Sequence, residues 1–292
     1  MSNGPTATLL GDGSRLHLHH GPIDLVVGAD GNRDRAFAAA TARFQTVLAE
    51  LVTELPLLRQ KVGPAVQGAV ARRMHRACAP HGRVMFVTPM AAVAGAVADE
   101  VLAALVAAAQ PVRAYVNNGG DIAVHLTAGQ VFTVSISGLD NRALGRVMLR
   151  AGDTARGLAT SGQGGRSLSM GIADAVTVLG RCGAEADVAA TLIANAVDLP
   201  GHPGIIRVPA RTLQPDSDLG DRLVVASVGG LTGDDIGMAL DRGLAAADAM
   251  RAQGMIEAAA LFLGGQSRII GGKAAFAVLP GQTSPERSLD HA

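Results

Sequence analysis

Tryptophan is absent from this 292-residue chain, and its aromatic side chains amount to one Tyr and six Phe. So few flat rings argue against a surface that stacks nucleic-acid bases. An excess of charge is also missing: 25 Lys and Arg balance 25 Asp and Glu, so net charge draws neither nucleic acid nor an anionic membrane. The only cysteines, Cys78 and Cys182, fit no metal-binding spacing and read as buried free thiols in a reducing compartment. No apolar run reaches the about 18 residues of a membrane span, and residues 1–6 have neither the basic start nor the apolar stretch of a secretory signal. The expectation is a cytoplasmic protein with no nucleic-acid or membrane partner. What abounds is Ala, Val, Leu and Gly, the last at 37 positions, in a chain long enough to bury a full core.

Residues 16–18 and 23–27 read as short strands. Asn32 offers a cap for an amphipathic helix over 33–55 that Pro56 closes. A second helix is expected over 65–77, a strand over 83–87, and a long helix over 90–109 ended by Pro111. Strands follow at 131–136, 175–179 and 223–228, with helices at 184–197 and 234–252. Strands come both in adjacent pairs and separated by helices, which predicts an α+β fold with mixed or antiparallel sheets. No short repeat stands out, although both halves share a helix-and-strand rhythm compatible with two similar subdomains. The expected layout is a lead over 1–15, one domain over 16–280 and a loose tail over 281–292. The abundance of Ala and Gly is compatible with a homodimer.

Four segments carry candidate chemistry. In Tyr115-Val116-Asn117-Asn118-Gly119-Gly120-Asp121-Ile122, two apolar runs flank a break with bare backbone amides, two carboxamides and a carboxylate. Such a turn can hold a diphosphate or ribose, or can be an ordinary hairpin. Thr160-Ser161-Gly162-Gln163-Gly164-Gly165-Arg166-Ser167 concentrates hydroxyls, glycines and a guanidinium; it suits phosphate oxygens or a plain polar loop equally. Asp187 and Thr191 lie four residues apart on one helix face. They can offer two oxygens to a hard cation such as Mg2+, though most such pairs are surface or capping residues. The acidic run Pro215-Asp216-Ser217-Asp218-Leu219-Gly220-Asp221 lacks the bidentate Glu of a calcium loop and reads as a solvated turn. The histidines have no carboxylate at a catalytic or zinc spacing and read as surface or packing residues.

Taken in order, the helix start Thr88-Pro89-Met90-Ala91, the Asn117–Asp121 turn, Thr160-Ser161-Gly162 and Asp187-x3-Thr191 resemble the ApbE superfamily, whose characterised members are FAD:protein FMN transferases. Tyr115–Ala123, Ala159–Gly162 and 215–223 resemble in particular a shorter ApbE-like branch with no assigned activity. The resemblance spans about residues 20–280. It implies an α+β fold of two similar subdomains with a flavin nucleotide, FAD or FMN, between them. Asn117, Asn118, Gly119, Gly120 and Asp121 would lie along the nucleotide, with Thr160, Ser161, Gly162 and Arg166 lining the same cleft. Asp187 and Thr191 match side-chain Mg2+ ligands, the carbonyl near Ala91 would complete the protein's share, and Asp99 matches an acidic residue of the family's first cleft helix. Mg2+ would polarise the diphosphate so that an acceptor hydroxyl attacks and AMP leaves.

Two departures stand against transfer. Where the transferases carry a lysine-glycine pair, this chain has Ala94-Gly95. Their His-Ile-Asp-Pro segment is replaced by Ser167-Leu168-Ser169-Met170-Gly171-Ile172-Ala173-Asp174, in which Asp174 stands as the catalytic candidate. The expectations are therefore a Mg2+-dependent flavin transferase or hydrolase, a non-catalytic flavin-binding protein, or a cofactor-biosynthesis enzyme acting on another nucleotide or a pterin-like ligand.

Overall fold

The computed structural model describes residues 4–63, 65–137, 143–163, 165, 167–272 and 276–278. Three strands open the chain: β1 (Thr6–Leu9), β2 (Arg15–His20) and β3 (Ile23–Asp30). Helices α1 (Arg33–Leu58) and α2 (Ala69–Gly82) follow, then a 3-10 turn at Pro89–Ala92 that runs into α3 (Val93–Ala109). Next come β4 (Arg113–Asn118), β5 (Asp121–Leu126), β6 (Val131–Ser137), β7 (Ala143–Arg150), β8 (Gly157–Ser161) and β9 (Ala175–Gly180). After α4 (Gly183–Ala196) lie β10 (Ile205–Pro209), α5 (Ala210–Leu213) and β11 (Leu223–Val228). The last elements are α6 (Gly233–Ala252), β12 (Ala258–Leu263), β13 (Gln266–Ile270) and β14 (Phe276–Val278).

The main sheet has the order β1-β2-β3-β4-β5-β8-β9-β12-β13; β10-β11 and β14-β7-β6 form two small sheets. Pairing is antiparallel throughout, so the fold is α+β. One face of the main sheet carries the long helices, and the central strands bury their other face against β6, β7 and β14. Alternation decides which residue goes where. In β12, Ala259, Leu261 and Leu263 join the helix-side core, while Ala258, Ala260 and Phe262 join the second. That double burial turns β9 and β12 into continuous apolar runs, which carry no period-2 signal in sequence. This is why β12 was not visible as a strand.

Other differences have local causes. Helix α1 continues through Pro56 to Leu58: so near the end, the proline forfeits one hydrogen bond without breaking the buried face formed by Ala36, Ala40, Phe44, Val47 and Leu51. Its Asn32 cap is formed, with the side chain accepting from Arg35 N at 3.2 Å. Helix α2 starts at residue 69 because the Glu54 carboxylate accepts from the amides of Gln67 and Gly68, at 2.7 and 2.6 Å. Residues 83–87 form no strand; Val87 O accepts from Val62 N, and the chain turns into α3. The expected lead contributes β1, paired with β2. The expected tail, 281–292, lies outside the described residues. By length and mean hydropathy (1.8), Pro89–Ala109 could cross a membrane, but Ala96, Val97, Ala98, Val101 and Leu105 are wholly enclosed within the fold.

The centre of the molecule is the crossing of α3 and α4. Both contain the same short pattern, Gly95-Ala96-Val97-Ala98-Asp99 and Gly183-Ala184-Glu185-Ala186-Asp187, a repeat that only the packing makes conspicuous. A Cβ on Gly95 would lie 2.2 Å from Gly183 O, and one on Gly183 would lie 2.8 Å from Gly95 O. Neither helix has a side-chain cap of its own; each borrows one from the other. Asp99 accepts from Gly183 N and Ala184 N at 2.8 and 2.9 Å. Asp187 accepts from Gly95 N at 3.0 Å and also from the Ala94 amide. Each carboxylate thus satisfies orphan amides at a helix N-terminus, where the helix dipole favours negative charge.

Two outcomes follow for stability. Asp99→Ala leaves two enclosed amides unpaired and is expected to cost about 2–4 kcal/mol, with Asp99→Asn costing less because one acceptor remains. Gly95→Ala forces the helices apart and is expected to cost at least about 2 kcal/mol. Urea unfolding of the purified variants measures both.

Candidate functional site

A cavity of about 270 Å3 opens beside the α3–α4 crossing. The 3-10 turn and first turn of α3 supply Met90, Ala91 and Ala94, and α4 supplies Asp187, Thr191 and Asn195. Asp121 enters from the start of β5, and Ser167 and Met170 from the segment that leads into β9. Gln214, Ser217 and Asp218 come from the loop between α5 and β11. Five distant stretches of sequence therefore meet, with Asp187, Thr191 and Asn195 on one helical stripe at i, i+4 and i+8.

Burial dominates the Asp187 carboxyl, with the nearby Asp99 charge adding to it; against the amides of Gly95 and Ala94, its pKa is pushed up to about 7. The Asp99 carboxyl is also raised by burial, offset by its bonds to Ala184 and Gly183. Asp218 accepts from the Thr88 hydroxyl, and the loop that carries it is pinned from outside. Arg59 pairs with Asp216 at 2.9 Å, and the Arg222 guanidinium stands 3.5 Å over the Phe86 ring.

The other candidates fall into place around this cavity. Asn117, Asn118, Gly119 and Gly120 build the turn that delivers Asp121. Asn118↔Asp121 is the last pair of the β4–β5 ladder, and Gly119 and Gly120 have φ of +66° and +113°, as a two-residue primed hairpin turn requires. Asn117 Oδ1 accepts from Gly120 N at 2.8 Å, and Asn118 Nδ2 donates to Ala94 O at 3.1 Å. These side chains brace the turn against α3, and Asp121 is the turn residue on the cavity wall. Thr160 and Ser161 lie in β8, with the Thr160 hydroxyl 2.9 Å from that of Thr177. Gly162 has φ of +152° and packs where a Cβ would meet Asp174 O at 2.5 Å. It is the end of this loop, at Ser167, that reaches the cavity; Arg166 lies outside the described residues. Asp174 Oδ2 accepts from Gly264 N at 2.7 Å, tying β9 to the β12–β13 turn, and Asp99 serves as the α4 cap.

Reading by sequence missed Thr88, Asn195, Gln214, Ser217 and Asp218. The i+8 spacing from Asp187 was a usable signal for Asn195. The loop at 214–219, read as a solvated turn, reaches the cavity only because β10 and β11 fold it back over α4, which no local pattern records. Cys78 is buried and free; burial pushes its thiol pKa up, and it serves packing.

The geometry agrees with comparisons to known proteins. The family model described as AbpE bacteria matches residues 7–269. A UPF0280 protein of Methanopyrus kandleri is 34% identical over 177 residues, covering 59% of this chain and 69% of that protein. Another, from Methanothrix thermoacetophila, is 31% identical over 183 residues, covering 61% and 75%. The crystal structure of the ApbE protein of Thermotoga maritima shares the fold, with a TM-score of 0.51 over 92% of this chain and 97% of that one at 10% identity. On this match of sequence and architecture, the chain belongs to the AbpE bacteria family and so to the ApbE-like superfamily.

Proposed function

We propose that the cavity binds a flavin nucleotide, FAD or FMN, or a related diphosphate together with Mg2+, and that the protein transfers or hydrolyses the phosphate-linked flavin. The observation that carries this reading is the cavity's composition. Asp121, Asp187 and Asp218 line it, while its described lining residues include no Lys, Arg or His. A diphosphate brought against three carboxylates is repelled unless a cation balances the charge. The oxygens of Asp187 and Thr191 and the backbone at Ala91 suit a hard cation. Among the described residues no group of three or more His, Cys, Asp or Glu is placed to hold a metal unaided. That fits Mg2+, which typically takes one or two carboxylates and completes its shell with water and substrate phosphate. When bound, the ion would neutralise the diphosphate and polarise it toward attack.

The chain's own residues do the remainder. Capping α3 holds the Asp187 side chain in one orientation at the cavity wall. Phe86, Met90, Leu168 and Leu192 give an apolar wall suited to a flat ring. In cleavage of FAD, an acceptor oxygen would bond to the flavin-side phosphorus as that atom's bond to AMP breaks. Asp121 and Asp218, which line the cavity, would take the acceptor's proton. The absence of Lys and His from the described lining favours a second reading, a protein that binds and delivers a flavin without turnover.

Incubation with FAD and Mg2+, followed by chromatography, is expected to show AMP with FMN or a flavinylated acceptor. Asp187→Ala should reduce the rate about a hundredfold or more. Flavin retained through purification but never cleaved selects the second reading; neither binding nor product removes both.

A further inference from the structure

A second concavity, of about 510 Å3, lies along α2, away from the carboxylate-lined cavity. Its floor includes Val66 and Ala79, and its cationic or protonable groups are Arg72, His75, Arg76 and Arg83. Helical spacing places Arg72 and Arg76 one turn apart, with Arg83 just past the helix end on the same stripe. No carboxylate occurs in α2. Arg72 donates to the Gln67 carbonyl, but the guanidinium groups of Arg76 and Arg83 make no hydrogen bond or ion pair among the described residues. His75 Nε2 is closed to solvent and likewise lacks a partner, which is uncommon enough in folded proteins to call for an explanation.

Helix stability does not account for this arrangement. Arg83 suits the negative C-terminal end of the helix dipole, but Arg72 is one turn from the positive end, where a cation is disfavoured. Like charges at i and i+4 repel as well. A chain with zero formal charge has gathered three guanidiniums around one hollow and left two of them unpaired. Guanidinium forks match the paired oxygens of phosphate. We propose that this hollow is an oxyanion-binding site for a phosphate-bearing small molecule, separate from the cavity at α3 and α4.

The test uses the full chain and inorganic pyrophosphate in magnesium-free buffer, where the carboxylate-lined cavity has no ion to bridge it to an anion. Calorimetric titration is expected to show one site whose affinity falls as salt rises. The Arg76→Glu/Arg83→Glu variant changes two exposed positions and should bind at least about tenfold more weakly at an unchanged melting temperature. Asp187→Ala should bind as the parent does. No binding at millimolar pyrophosphate, or equal binding by the double variant, overturns the proposal. Tighter binding by Asp187→Ala at an unchanged melting temperature overturns it as well, because relief of carboxylate repulsion places the anion in the other cavity. All three results are independent of whether FAD is cleaved.

Discussion

Two carboxylates exchanged between two helices hold this molecule together at its centre. The N-termini of α3 and α4 meet so closely that neither glycine at the contact can carry a Cβ. Neither helix caps itself, since the N-cap residues are Ala92 and Cys182 and neither side chain accepts from the first turn. Asp99 and Asp187 solve the same problem from opposite sides, each lying one turn beyond the glycine of its own helix and capping the other. The cost is two carboxylates whose pKa burial raises, that of Asp187 further by the Asp99 charge, tolerated because each accepts amide hydrogen bonds and faces the positive end of a dipole.

The same symmetry explains why one carboxylate is available for chemistry and the other is not. Asp99 is enclosed, whereas Asp187 faces the cavity between the first turn of α3, the β4–β5 turn and the loop that follows α5. One turn further along, α4 places Thr191 on the cavity wall, while the equivalent position of α3 is Ala103. A structural device used twice is thus polarised, by four residues' worth of difference, into one buried brace and one cavity-facing oxygen pair. The brackets around it have the same character: Asn117 and Asn118 set the hairpin that carries Asp121, and Asn195 accepts from Met170 N at 3.0 Å to hold the opposite wall.

Charge is distributed to match. A neutral chain keeps carboxylates around the cavity at α4 and guanidiniums along the outer face of α2. The deeper ion network runs between these regions, with Glu100 of α3 accepting from Arg43 of α1 and Arg73 of α2 at 2.9 and 2.8 Å. It ties three helices together and leaves the remaining arginines of α2 to face the hollow.

Amphipathic spacing and capping chemistry were enough to locate α1, α3, α4 and α6, because a helix with one wet face writes its period into the sequence. Alternating strands such as β2 and β3 were legible for the same reason. The motifs around Asp121, Asp187 and Thr191 could be picked out as chemistry, and their order identified the family. Packing alone decided the rest. Strand β12 is covered on both faces and so loses its alternation, whereas β9, equally covered, was read from its short apolar run. The start of α2 depends on Glu54, a residue of another helix. Asn118 and Asp99 carry polar groups that local reasoning aims at a ligand, yet their partners are backbone atoms 24 and 84 residues away. A side chain's type is written locally; what it bonds to is set by which backbone amides and carbonyls the fold leaves unsatisfied within its reach.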